Sequence, residues 1–284
     1  MMRLLHDDLA ALLRPRRRGP SSGEIRRQAD LAALRLVALY GHVTTRDLSL
    51  LHSGKYALQS AQRVVQRLVG ASPPLLERRI NSLGGISVVL TPDGVTFLEL
   101  HGLANARQGL DLDSVAGPTF RHHAITTRFC QTQELIGTIA WTEYAISVGL
   151  AALSPAEVWK LCGKRPDAIL FTPDNAAVPE RGGSIYAVEV EQARKGNPVL
   201  ITCLKQAERA SAGACVRGFK LRGLVFVFEN RLAHASRIAS AAAEAWEKKS
   251  AEERAGLAKL VRLVSVDTKP PLIFGEWKSG PLEL

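Results

Sequence analysis

Cysteine is scarce: Cys130, Cys162, Cys203 and Cys215 stand far apart, with no C-x-x-C pair and no histidine at finger spacing. That spacing argues against a structural zinc site and against a disulfide framework. It reads as reduced, mostly buried thiols of a cytoplasmic protein. No stretch approaches the ~20 apolar residues of a membrane span. The opening MMRLLHDDLAALL sets Asp7 and Asp8 inside its apolar region, so it does not read as a secretory signal. No internal repeat is present. Acidic residues are also in deficit, 27 against 37 Lys and Arg, for a formal charge of +10. A basic excess suits a polyanion, most often nucleic acid.

The chain has 284 residues, 46% of them hydrophobic, enough for about two domains with real cores. Residues 1–104 hold 14 Lys/Arg against 8 Asp/Glu, and the remainder 23 against 19, so the first third is the more basic. Residues 1–23, with the run Arg14-Pro-Arg-Arg-Arg-Gly-Pro-Ser-Ser-Gly23, read as a flexible basic arm. It would lie along a phosphate backbone or extend as a solvated tail.

Residues 24–103 form the first domain. Helical periodicity runs over Glu24–Tyr40, Arg46–His52 and Lys55–Val69, the second helix capped by Thr44 or Thr45. On the third helix, Leu58, Ala61, Val65 and Leu68 share one face, and Lys55, Gln59, Gln62, Arg63 and Gln66 the other. The second face lacks any acid. Arg and Gln are the side chains that pair bidentately with guanine and adenine edges. Strands Leu75–Ile80 and Ile86–Leu90 flank a glycine-containing turn, and a short helix follows over Val95–His101. Three helices and a hairpin resemble the winged helix-turn-helix modules. By that resemblance the third helix enters the major groove of double-stranded DNA, and Arg78 and Arg79 beside the wing hold phosphates. The other reading of such a module is protein contact or dimerisation.

Residues 104–118 read as an exposed linker. Residues 119–284 form a second, α/β domain with a mixed central sheet. Its expected order is a helix (Arg121–Ile139), three strands (Trp141–Gly149, Arg165–Phe171, Ser184–Glu191), a helix (Pro198–Ala212), a wholly apolar strand (Gly223–Phe228), a long helix (Ala233–Leu260) and a strand (Val261–Val266). Pro166-Asp167 opens the second strand and Glu189-Val-Glu191 closes the third. Alternation sets Glu189 and Glu191 on one face, where Asp167 can approach them. Crowded carboxylates repel unless a cation neutralises them, and Mg²⁺ or Mn²⁺ prefers oxygen ligands.

That order and pattern resemble the PD-(D/E)xK nucleases of restriction-endonuclease-like fold, with one departure: Glu191 stands at the usual lysine position. Lys205, on the following helix, is the expected replacement and Lys195 the lesser candidate. Glu134 would add a fourth carboxylate to the metal-binding set Asp167, Glu189 and Glu191. Winged helix, linker, Arg-His-His-Ala at a helix start, Pro-Asp and Tyr-Ala-Val-Glu-Val-Glu together resemble the replication-relaxation proteins of plasmids and integrative elements. The resemblance spans residues 24–230. It implies nicking or relaxation of DNA for mobilisation or replication, a divalent metal, and as partners DNA, a second copy of the chain and mobilisation or replication proteins. His122 and His123 match the family's helix start, where capping and packing compete with catalysis. No tyrosine stands out as a nucleophile. The alternative is a non-catalytic DNA-binding regulator or accessory factor that keeps the nuclease fold as a scaffold.

Overall fold

The computed structural model describes residues 21–52, 55–109, 117–175, 179–191, 196–230, 234–269 and 273–283. The chain divides into two compact units, Met1–Phe120 with Tyr144–Ala152, and Arg121–Glu143 with Leu153–Leu284. Among the described residues no helix is long and apolar enough to cross a membrane. Residues 1–20 of the expected basic arm lie outside the described residues.

The described part of the first unit opens with α1 (Ser22–Tyr40), capped reciprocally by Ser21 and Glu24. Every residue from Ala32 to Tyr40 is buried, so this half of the helix is the centre of the core. Gly41, at φ 76°, turns the chain out of it. A two-residue strand β1 (Val43–Thr44) leads to α2 (Thr45–Leu48), where Thr44 and Asp47 form a second capping box. A 3₁₀ turn continues it over Ser49–Leu51. Next comes α3 (Ala57–Val69), burying Ala61, Val64, Val65 and Leu68. Leu58, expected in that row, is 37% exposed, and Val64 takes its place. Strands β2 (Leu76–Ile80) and β3 (Ile86–Leu90) form an antiparallel hairpin, and β1 adds to β3, giving the order β1-β3-β2. Thr91 caps α4 (Pro92–Leu100), with Pro92 in the first turn.

The expected linker begins as part of this unit. Leu103 and Ala106 are buried. Gly109 passes so near Gly41 that a Cβ on it would lie 2.0 Å from the Gly41 carbonyl oxygen. The Asn105 amide donates to the Gly149 carbonyl at 3.5 Å, which ties in the segment Tyr144–Ala152. Helix α5 (Gly117–Leu135) starts inside the span expected to be open, and residues 110–116 lie outside the described residues.

The second unit is built on a seven-stranded mixed sheet of order β10-β9-β8-β6-β5-β4, with β7 paired to β8. Its strands are β4 (Ile139–Thr142), β5 (Ala168–Pro173), β6 (Gly183–Glu191), β7 (Cys215–Val216), β8 (Phe219–Glu229), β9 (Val261–Lys269) and β10 (Ile273–Pro281). The centre, β6-β8-β9, is parallel, and β4, β5 and β10 run antiparallel to their neighbours. Gly223 to Glu229 of β8 are all buried, as a parallel strand covered on both faces requires. Trp141, Phe171 and Phe219 stack at one end, with ring centroids 5.0 and 5.2 Å apart.

The helices depart from the sequence expectation in three places. The first expected strand stops at Thr142: the Glu143 N–H donates to the Asp167 carbonyl at 2.9 Å and α6 (Glu143–Ser147) begins. An unexpected helix, α7 (Pro155–Cys162), follows a Ser154–Glu157 capping box and ends at left-handed Gly163. The long alanine-rich helix is two helices, α9 (His234–Ala245) and α10 (Ala251–Ala258), because Ser250 and Glu253 cap a fresh start. Helix α8 (Asn197–Ser211) packs on β8 and against α9 and α10.

Candidate functional site

Each unit holds a polar group of its own. On α3, Gln59, Gln62, Arg63 and Gln66 are exposed, with no acid among them. Tyr56, at the N-cap, is 57% exposed, and the exposed Lys55 sets its ammonium 5.0 Å from the Tyr56 ring centroid. Tyr56, Gln59, Arg63 and Gln66 follow the spacing of one helix row. Arg67 lies off it, paired with Asp30 of α1. Strand β2 packs beside α3 and carries Arg78 and Arg79, both exposed. Arg79 pairs with Glu77 at 3.0 Å on the same strand face. Six of the seven residues expected to touch DNA therefore lie on two adjoining elements, and Lys55, expected to open the helix, stands in the turn before it. Tyr56 was not among them, because its exposure depends on where the helix begins.

In the second unit, β5 and β6 are in register through Ala168 and Val188. Asp167 immediately precedes β5, and its charge acts on Glu189 near the end of β6. The Asp167 N–H donates to the Val188 carbonyl at 3.0 Å, and its carboxylate accepts from the Val190 N–H at 2.7 Å. Its other oxygen lies 3.1 Å from His122 Nε2 at the start of α5. Glu189 is fully buried. Lys164 Nζ donates to its Oε2 at 2.5 Å, the Cys203 thiol approaches the same oxygen at 3.4 Å, and Gln206 donates to Oε1 at 2.6 Å.

Burial, together with the Asp167 charge, pushes the Glu189 carboxyl above the usual carboxylate range, while Lys164 and Gln206 pull it back. Burial alone would drive the Lys164 ammonium downward, but the Glu189 charge beside it wins and holds Lys164 well above an ordinary lysine. His123, next to the His122 ring, is lowered by burial and by His122 against the opposing pull of Glu143 and Asp167.

Lys164 is the cation of this group. Lys205 is exposed, because the buried side of α8 is formed by Leu200, Cys203, Leu204, Gln206 and Ala207. Lys195 lies outside the described residues. Arg165 turns away to Glu143 at 3.3 Å. Glu191 is buried at 1% exposure, one strand repeat beyond Glu189. Glu134 sits 12 residues along α5 from His122, about 18 Å down the helix axis, and with Asp167 it acts on the buried Cys130 thiol. Lys164 had one sequence signal, its position three residues before Asp167. Gln206 and Cys203 had none beyond helix phase.

The expected metal cluster is not assembled. Among the described residues no three His, Cys, Asp or Glu side chains are gathered to hold a metal ion. Both oxygens of Glu189 already accept from protein donors, and Lys164 supplies the counter-charge that a divalent cation would bring. As these side chains stand, they fit an internal ion pair and not Mg²⁺ or Mn²⁺.

A second buried carboxylate, Glu229 at the end of β8, is gripped by the Arg121 guanidinium and by Thr268 of β9. This joins α5, β8 and β9 in one polar clamp. Neither a protein-family model, nor a curated protein, nor a solved structure matches the chain.

Proposed function

We propose that the chain binds double-stranded DNA through its first unit, as a winged helix-turn-helix, and that its second unit is a restriction-endonuclease-like fold serving DNA processing. The observation that carries the reading is the exposed, acid-free row on α3 beside an arginine-bearing hairpin. In such modules that helix lies in the major groove and the hairpin follows the adjoining backbone. The sequence resemblance to the replication-relaxation proteins sets this activity on a plasmid or integrative element, with mobilisation or replication proteins as partners.

The second unit is then a scaffold in which Lys164 neutralises Glu189. That favours an accessory or regulatory DNA-binding protein. Hydrolytic cleavage of DNA is the second reading, supported by the closeness of Asp167 to Glu189 at the ends of β5 and β6.

Two measurements test these readings. Selection of duplexes from a random pool, followed by titration at several salt concentrations, should yield a preferred site with salt-sensitive affinity. Equal affinity of wild type and a Gln62→Ala/Arg63→Ala/Gln66→Ala variant would remove the α3 row from the interface. Incubation with supercoiled plasmid and Mg²⁺ or Mn²⁺ should leave the plasmid intact. Nicking that is lost in Asp167→Ala, with duplex binding retained, would restore the cutting enzyme.

A further inference from the structure

We propose that the tip of the β2–β3 hairpin is an apolar wedge that enters the DNA minor groove and bends the duplex; this rests on the DNA-binding reading of the first unit. Ile80 and Ile86 are direct cross-strand partners, 74% and 57% exposed. Leaving two large aliphatic side chains in water at the end of a hairpin forgoes the stabilisation their burial would give. Their fixed mutual position is a property of the turn. Asn81, 5% exposed, accepts at Oδ1 from the Leu83 and Gly85 N–H groups, both at 3.1 Å, and donates to the Ser87 hydroxyl at 3.1 Å. Two backbone bonds close the turn between Asn81 and Gly85 and between Gly84 and Asn81, with Gly84 at φ 76°. A β-branched pair on such a turn has few rotamers to lose on contact.

Charge selects the occupant. Arg78 lies two residues before Ile80, on the same strand face, and is exposed. Glu77 is the single acid between Leu76 and Leu90, and it is engaged by Arg79 on the opposite face. The base of the turn is therefore apolar, with exposed Ser82 and Gly84 beyond it and a cation behind it. A minor groove about 6 Å wide excludes a helix but admits a hairpin edge. Isoleucine is among the wedges that unstack a base step there and kink the duplex by 20–90°. A second copy of the chain fits less well, since two isoleucines offer far less than the roughly 800 Å² per partner of a stable interface.

The test uses the full chain and a 30-base-pair duplex, selected by the wild type from a random pool and labelled at both ends for energy transfer. Wild type should shorten the end-to-end distance. Ile80→Thr/Ile86→Thr, which keeps β-branching, should bind the same duplex about tenfold more weakly and leave it straight. Ile80→Leu/Ile86→Leu should keep the bend. Unchanged bending by the threonine variant, or binding without bending by the wild type, overturns the wedge while leaving DNA binding in place. Sedimentation that shows a wild-type dimer lost in the threonine variant also overturns it, in favour of self-association. Absence of any duplex binding by the wild type overturns the underlying reading as well.

Discussion

Arg63 on α3 and Lys164 before β5 are both cations, but solvent surrounds the first, and the second lies against a carboxylate with no exposure to water. The contrast extends to their neighbours. Around Arg63, glutamines and an aromatic ring project outward and contribute little to the fold. Around Lys164, the two carboxylates meet polar partners: Glu189 with Gln206 and Cys203, Asp167 with His122 and a backbone N–H. Exposed polar rows leave the fold's own hydrogen bonding untouched. Buried polar groups are spent on the fold, because an unpaired charge there costs several kcal/mol. A PD…ExE pattern can therefore persist as architecture, and its presence does not by itself distinguish an active site from a polar strut.

The largest expected effect tests that second half. Lys164→Met should leave Glu189 buried without a counter-charge and cost about 3–5 kcal/mol of the second unit's stability. All four tryptophans, Trp141, Trp159, Trp246 and Trp277, lie in that unit, so urea unfolding followed by tryptophan fluorescence reads it selectively. Adding Glu189→Gln to Lys164→Met should recover most of the loss. A Lys164→Met protein as stable as wild type would mean the ion pair is not what neutralises Glu189.

The exposed half gives a smaller effect on a different readout. Arg63→Ala should weaken binding to the preferred duplex by about 1–3 kcal/mol and relax its sequence preference. Its effect on stability should stay within about 0.5 kcal/mol. Arg78→Ala should weaken all duplexes alike and reduce the slope of log affinity against log salt by about one. If Arg63→Ala lowered stability and left affinity intact, the comparison between the two units would fail at its simplest point.

The same division explains what could be read beforehand. The first unit follows local rules: the stripe of α1, the Thr44–Asp47 box, the α3 face and the Gly-Gly turn are each contained within a few residues. The second unit's mixed sheet, and the approach of Asp167 to Glu189, were legible through strand alternation and the Pro-Asp and Glu-x-Glu spacing, while the order of strands across the sheet was not. Nor was its cation. Lys205 has the right chemistry, but it falls between the buried positions Leu204 and Gln206 on a helix whose phase is set by β8. Lys164 follows left-handed Gly163 at the end of α7, a short helix announced only by its Ser154–Glu157 capping box and the Val158, Leu161 and Cys162 stripe. β10 was missed for a similar reason: its Phe-Gly-Glu-Trp-Lys-Ser-Gly run lacks the alternation that marks a strand, and pairing with β9 supplies the order.

Acid gives the smallest effect and probes both units through one residue type. His52 in the first unit, and His123 and His234 in the second, are all lowered from 6.5, foremost by burial. A histidine whose folded pKa lies below its unfolded value stays neutral in the fold while the unfolded chain takes up the proton. Its stabilising contribution is complete above 6.5 and is lost as pH falls from 6.5 toward the folded value. Glu189 works in the opposite direction. Its folded pKa is raised, so its contribution is present below 4.5 and is lost as pH rises through the folded value. Between pH 7.5 and 5.5 the histidines should dominate, and the second unit's urea midpoint, read by tryptophan fluorescence, should fall. His123→Gln should flatten that dependence without moving the midpoint much at pH 7.5. Its neighbours Glu143 and Asp167 favour the charged form and limit the size of the change. A wild-type midpoint that rose as pH dropped through this window would mean that Glu189, and not the histidine set, controls the unit's response to acid.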